Sequence, residues 1–330
     1  MRTTRSSVTS QVAYRACTSA GATLLLAALV LGCGGGASGG QEAKTPKRPP
    51  PSVVVLNGGS LVKIGGGRSL YLKCVGSGSP TVVLESGFGG TTNDWSAVQP
   101  QLGRRMRTCA YDRAGLGNSL PIPGVHDAGD EAEDLRRLLE GARVPAPYLL
   151  VGHSYGGLLA RVFADTNPGD TAGVVLVDAM GRNQDRRLLA IWRAAPARVR
   201  RHLPKPTADP VVDDVDVRAG EALDAKVRTL HRLPLAVITR GLAEEDELPP
   251  RVRLAVGKAW TRMQDELAAM SPDRLHVVAA RSGHFVQSYA EGQPGVVIRA
   301  VRAVADAART GTRLPSCSRV FAGAGVRCRG

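Results

Sequence analysis

The chain has 330 residues, with 43 Lys+Arg against 29 Asp+Glu for a formal charge of +14. Hydrophobic residues at 43% and charged residues at 22% are globular proportions that exclude a disordered chain, and 39 Gly and 21 Pro without a triplet period exclude a collagen-like one. The length suits one large α/β domain of roughly 250 residues or two small ones, and the positive charge makes nucleic acid a partner to test.

Residues 1–32 read as a secretory signal peptide. Arg2, Arg5 and Arg15 form a basic start with no acid, and the apolar stretch Ala20–Leu31 follows. About a dozen apolar residues are too few for a stable membrane span but suit the core of an export signal. The run Val30-Leu31-Gly32-Cys33 resembles the lipobox of bacterial lipoproteins, with Val where Leu is commoner. That resemblance implies cleavage before Cys33, a lipid on its sulfur, and anchoring to the membrane on the extracytoplasmic side. An ordinary cleaved signal, leaving a soluble secreted or periplasmic protein, is the alternative. Residues 33–58 read as a tether, flexible through Gly34–Gly40 and stiffened by Pro46 and Pro49–Pro51. In an oxidising compartment Cys74, Cys109, Cys317 and Cys328 can pair, and no clustered His/Cys spacing points to a metal.

Strands are expected at Ser60–Ile64, Ser69–Val75, Thr81–Glu85, Arg107–Tyr111, Tyr148–Val151, Gly173–Asp178, Leu235–Thr239 and Leu275–Ala279. The later ones are continuous apolar runs, as in parallel strands buried on both faces. Helical patterns lie between them at Asp130–Glu140, which starts acidic and stops at Gly141, at Ser154–Asn167, and at Gly295–Arg309. The alternation predicts an α/β fold, a mostly parallel eight-stranded sheet with helices on both faces. Residues 181–232 are far longer than a usual connection, and the apolar face of Leu188, Leu189, Ile191 and Trp192 marks them as a lid inserted after the sixth strand. The domain is expected to span 59–311, with a tail at 312–330.

The chemistry is concentrated at Gly152-His153-Ser154-Tyr155-Gly156, a G-x-S-x-G between an apolar strand and a helical pattern. A sharp strand-to-helix turn holds such a serine in a strained conformation and demands small flanking residues. The helix start beneath it presents backbone N–H groups, that of Tyr155 among them, to a developing oxyanion.

On these residues the chain resembles the α/β-hydrolase superfamily over about residues 60–310. Thr81–Gly90 looks like the family's oxyanion strand and loop, with Ser86-Gly87 in place of the usual His-Gly and Phe88 in the N–H-donating position. Cys109–Ser119 is similar to the family's Asp-Arg-x-Gly-x-G-x-Ser segment, where Asp112 and Arg113 are read as structural. His284, in Gly283-His284 after the last expected strand, matches the family's base. His153, His126, His202, His231 and His276 are less suitable. The acid is open: Asp178 at a strand end is favoured, and Asp246, Glu245 and Glu244 in the acidic loop 241–250 are alternatives. The resemblance also implies a Cys74–Cys109 disulfide between neighbouring strands, and Cys317–Cys328 would close a small terminal loop.

A serine at the elbow disfavours the dehalogenases and epoxide hydrolases of this superfamily, which place Asp there. It implies acyl transfer to water through an acyl-enzyme, with a small acyl compound as substrate and no cofactor or metal. A carboxylic ester is the first expectation, and an amide, a thioester or a binding protein without turnover are the alternatives. Losing Arg2, Arg5 and Arg15 takes the charge from +14 to +11, and the remaining Arg are scattered among only 4% aromatic residues. This is a solvated surface rather than a nucleic-acid site.

Overall fold

Six of the expected strands, the later of them continuous apolar runs, lie side by side in the computed structural model as the parallel centre of one sheet. Residues 53–201, 211–243 and 248–329 are described. The signal segment, Cys33, the tether as far as residue 52, and Glu244, Glu245 and Asp246 lie outside the described residues.

In chain order the first half runs β1 (Val53–Leu56), β2 (Gly59–Gly65), β3 (Arg68–Val75), β4 (Thr81–Glu85), α1 (Gln99–Gly103), β5 (Thr108–Asp112), α2 (Ala128–Gly141), β6 (Tyr148–His153), α3 (Tyr155–Thr166) and β7 (Thr171–Val177). The insertion after β7 contains α4 (Gln184–Ala194), α5 (Ala197–Arg200), a two-stranded hairpin of β8 (Val211–Val212) and β9 (Val215–Asp216), and α6 (Val217–Asp224). Then follow β10 (Leu235–Arg240), α7 (Pro250–Ala268), β11 (Arg274–Ala279), α8 (Pro294–Thr310), α9 (Cys317–Val320) and β12 (Val326–Arg329). The sheet order is β1-β2-β3-β5-β4-β6-β7-β10-β11-β12.

The sheet therefore has ten strands, two beyond the expected eight. β1 pairs antiparallel with β2 through Asn57-Gly58, both at positive φ (47° and 77°). An Asn-Gly pair after a Val-rich run is a strong hairpin signal, and the reading as a tether overlooked it. β12 pairs antiparallel with β11, so the terminal segment joins the sheet. Both disulfides are present. Cys74 and Cys109 face each other across the antiparallel β3–β5 pair, and Cys317–Cys328 ties α9 to β12.

Strands β4, β5 and β6 are buried along their whole length, because helices cover both faces. One core joins Leu135 and Leu138 of α2, Leu158 and Phe163 of α3 and Leu267 of α7 to the sheet. The other joins Trp95, Leu102 of α1 and Val297, Val301 and Val304 of α8. Asp127 starts α2 with a reciprocal capping box to Asp130, which explains the acidic helix start. Helix α7 was not anticipated, yet Trp260, Met263, Gln264 and Leu267 form a buried stripe at helical spacing. The inserted segment is bolted down through α6. Asp224 accepts from Arg161 of α3 in a two-pronged pair (2.7 and 2.9 Å), both residues being fully buried.

Candidate active site

Ser154 lies between β6 and α3 with φ 53° and ψ −121°, a backbone conformation that L-residues adopt only under constraint. The constraint is visible. Its N–H donates to Val177 O (3.2 Å), and its carbonyl accepts from Gly157 (3.0 Å) and Met180 (2.8 Å). A Cβ on Gly152 would collide with the backbone of Gly156, and one on Gly156 with the carbonyl of Glu85. The two motif glycines are thus required by close backbone approach, as the pattern implied.

The loop after β4 passes over the serine. A Cβ on Gly87 would lie 3.0 Å from Ser154 Cβ and 3.5 Å from its Oγ. The Phe88 ring stacks on Tyr155 with centroids 4.1 Å apart and planes at 14°. Among the described residues the backbone N–H groups of Phe88 and Tyr155 have no hydrogen-bond partner. Two donors without protein acceptors beside a half-buried serine are what a developing oxyanion requires.

At the same end of the sheet, Asp178 Oδ2 lies 2.7 Å from His284 Nδ1. Asp178 is fully buried at φ 42°, at the C-terminal end of β7. Its carboxylate accepts three further hydrogen bonds: from the Arg240 N–H (3.0 Å), from Arg240 Nη1 (2.9 Å) and from Trp260 Nε1 (3.0 Å). Burial alone would raise its pKa. The hydrogen bond from His284 and the charge of Arg240 outweigh burial and hold it below the ordinary carboxylate value. An ionised Asp178 places the imidazole proton of His284 on Nδ1 and leaves Nε2 as the basic nitrogen.

The chain thus brings Ser154, His284 and Asp178 to one end of the parallel sheet, while Glu244, Glu245 and Asp246 lie outside the described residues. His153 is committed to the loop that carries His284. Its Nε2 donates to the His284 carbonyl (3.1 Å) and its ring packs 4.5 Å from the His284 ring. Burial, and then the neighbouring His284, push its pKa down to about 3, so it is neutral and buttresses the loop. His276 is buried in β11 against Thr239 (2.9 Å), away from the serine. Arg240 and Trp260 escaped the sequence reading. Arg240 also lies 4.2 Å over the Trp260 ring, so the two form one unit around the carboxylate. The available signal was a tryptophan on a periodic apolar stripe and a cation ending a buried strand.

The sequence model of the Alpha/beta hydrolase family matches residues 82–300, most of the sheet and every residue of this site. The chain belongs to the alpha/beta hydrolase family. This hydrolase is 26% identical over 213 residues to the uncharacterized protein YqjL of Bacillus subtilis, covering 63% of this chain and 78% of that protein. It is 34% identical over 108 residues to an AB hydrolase superfamily protein of Gibberella zeae, covering 32% of this chain but only 34% of the relative. Among solved structures it is similar to alpha/beta hydrolase domain-containing protein 10 from mouse (TM-score 0.53, 17% identity, 75% of this chain and 98% of that one). A hydrolase from Pseudomonas aeruginosa is similar to the same degree (TM-score 0.53, 19% identity, 75% and 98% coverage). At these identities the structural likeness speaks for the fold alone, and family membership supports hydrolytic chemistry.

Proposed function

We propose that this alpha/beta hydrolase cleaves a carboxylic ester through an acyl-enzyme, with Ser154 as nucleophile, His284 as base and Asp178 as the acid. The observation that carries the reading is Ser154 strained at φ 53°, with two unpartnered N–H groups in its turn and the loop over it, and a His284–Asp178 pair at 2.7 Å at the same end of the sheet. Ser154 Oγ attacks the ester carbonyl while His284 Nε2 takes its proton. The N–H groups of Phe88 and Tyr155 hold the resulting oxyanion. Collapse expels the alcohol, which takes the proton from His284, and a water activated by the same nitrogen then releases the acid. Asp178 holds the imidazole in the required tautomer throughout.

The test is labelling with a fluorophosphonate probe, with Ser154→Ala as control, followed by esters of increasing chain length and matched amides and thioesters. Labelling of the wild-type protein at Ser154 and its loss in the variant are expected; an unlabelled wild type would sink the reading.

The same reading extends to location. An exported protein carrying lipid on Cys33 agrees with two disulfides, which persist in oxidising compartments. Cys33→Ser should move the protein from the membrane to the soluble fraction; equal membrane retention would count against the anchor.

A further inference from the structure

Arg113 follows β5 and is nearly inaccessible, its side chain 4% exposed. It reaches across to the loop after β4, where Nη1 donates to the Ser86 carbonyl (2.6 Å) and Nη2 to the Gly87 carbonyl (2.7 Å). Its Nε faces Glu131 of α2 at 3.2 Å, an ion pair without hydrogen-bond alignment. Glu131 in turn accepts from the Tyr155 hydroxyl (2.7 Å), and the guanidinium lies 5.2 Å over the Tyr155 ring. One cation therefore touches both segments that carry the unpartnered N–H groups.

Peptide geometry turns these contacts into orientation. The Gly87 carbonyl and the Phe88 N–H belong to one planar trans peptide, so they point in opposite directions. Holding the carbonyl on Arg113 directs the Phe88 N–H away from the guanidinium. One residue further on, the Gly89 N–H donates to Asp213 Oδ2 (2.5 Å), and that oxygen lies 4.0 Å from Arg113 Nη2. Asp213 and Asp214 are the two residues joining β8 to β9, at φ 54° and 61°. The hairpin is held to the main body by His126, whose N–H donates to Asp214 O (3.0 Å) and whose carbonyl accepts from Asp216 (2.8 Å). The loop is thus pinned on either side of Phe88, through carbonyls before it and an N–H after it.

We propose that Arg113, opposed by Asp213 from the insertion, is a positioning residue for the oxyanion hole. Its grip on the Ser86 and Gly87 carbonyls sets the plane of the Gly87–Phe88 peptide so that the Phe88 N–H meets the oxyanion formed at Ser154. The inference rests on the reading of Ser154 as nucleophile. The planar fork of an arginine suits two successive carbonyls, whereas a lysine ammonium is a single point charge that cannot reproduce the pair of parallel donors.

The experiment compares an ester with its thionoester, in which sulfur replaces the carbonyl oxygen. A hole aimed at an oxyanion favours the ester, so a misdirected donor slows the ester more than the thionoester. Arg113→Lys and Arg113→Met should lower kcat/KM for the ester about 10- to 100-fold. KM should stay within about twofold, since the contact matters in the transition state. The ester-to-thionoester ratio should fall in step, and Asp213→Ala should show a smaller fall in the same direction. A role confined to stability would lower the melting temperature and leave the ratio at its wild-type value, and that result overturns the proposal. Should neither Arg113 variant fold, Asp213→Ala at the hairpin tip decides, because an unchanged ratio there removes the opposed grip. A wild type that is neither labelled at Ser154 nor active on the ester would instead overturn the hydrolase reading itself.

Discussion

Two arginines flank the candidate active site and hold its two halves by different means. Arg113 grips backbone carbonyls of Ser86 and Gly87 and shares Glu131 with Tyr155. Arg240 grips a side chain, the Asp178 carboxylate, and reinforces it with its own backbone N–H. The difference lies in redundancy. Without Arg240 Nη1, Asp178 keeps donors from Trp260, His284 and the Arg240 backbone. Without Arg113, the Ser86 carbonyl loses its charged donor, the Gly87 carbonyl keeps only the Gly90 N–H (3.2 Å), and Glu131 is left buried without its cation, a costly state. A carboxylate at the end of a strand can be surrounded by several donors, while a loop must be held through its few peptide groups.

Substitutions on the two sides of the site should differ in the size of their effects. Asp178→Asn should lower kcat by about 10⁴-fold with folding intact, because the imidazole then adopts the wrong tautomer; kinetics on the folded variant measure this. Arg240→Met should cost kcat no more than about tenfold, less than Arg113→Met, given the donors that remain. A larger loss at Arg240 than at Arg113 would invert the comparison. Trp260→Phe, which removes one donor and keeps a ring, should fall below Arg240→Met on the same assay.

Two stability experiments separate the arginines that hold the site from groups that hold the fold. Asp224→Ala leaves Arg161 buried without its partner and should destabilise by about 3–5 kcal/mol in denaturant unfolding, while kcat per folded molecule persists. Glu85 is completely buried, with Oε2 accepting from the Tyr111 hydroxyl (2.8 Å), and burial pushes its pKa up from 4.5 to about 8. The raised value means that its proton stabilises the fold fully below about pH 4.5 and that this contribution is lost as pH rises through about 8. Glu85→Gln, an uncharged isostere, should therefore gain melting temperature relative to wild type between about pH 5 and about pH 8. Parallel melting curves for the two proteins would contradict a protonated Glu85.

Local pattern carried much of this molecule. The strand–Gly–x–Ser–x–Gly–helix run located Ser154 because the turn itself excludes side chains at Gly152 and Gly156. The Asn57-Gly58 hairpin and the α7 stripe are equally local patterns, but the first follows a Pro-rich stretch that reads as a tether and the second follows an acidic loop. Glu85 was invisible in another way. Nothing beside it in sequence marks a carboxyl group whose partner Tyr111 is 26 residues away.

Short-range pattern is enough for the alternating strands and helices, the elbow at Ser154 and the Gly-His position of His284, since each depends on neighbours within a few residues. Which carboxylate lies against His284 among the described residues, and which side chains hold it, follows only from long-range packing. Asp178 meets Arg240, Trp260 and His284 across 62, 82 and 106 residues of chain. Whether a buried carboxylate is ionised depends on the balance between lost hydration and the donors around it, and that balance exists only once distant strands are brought side by side.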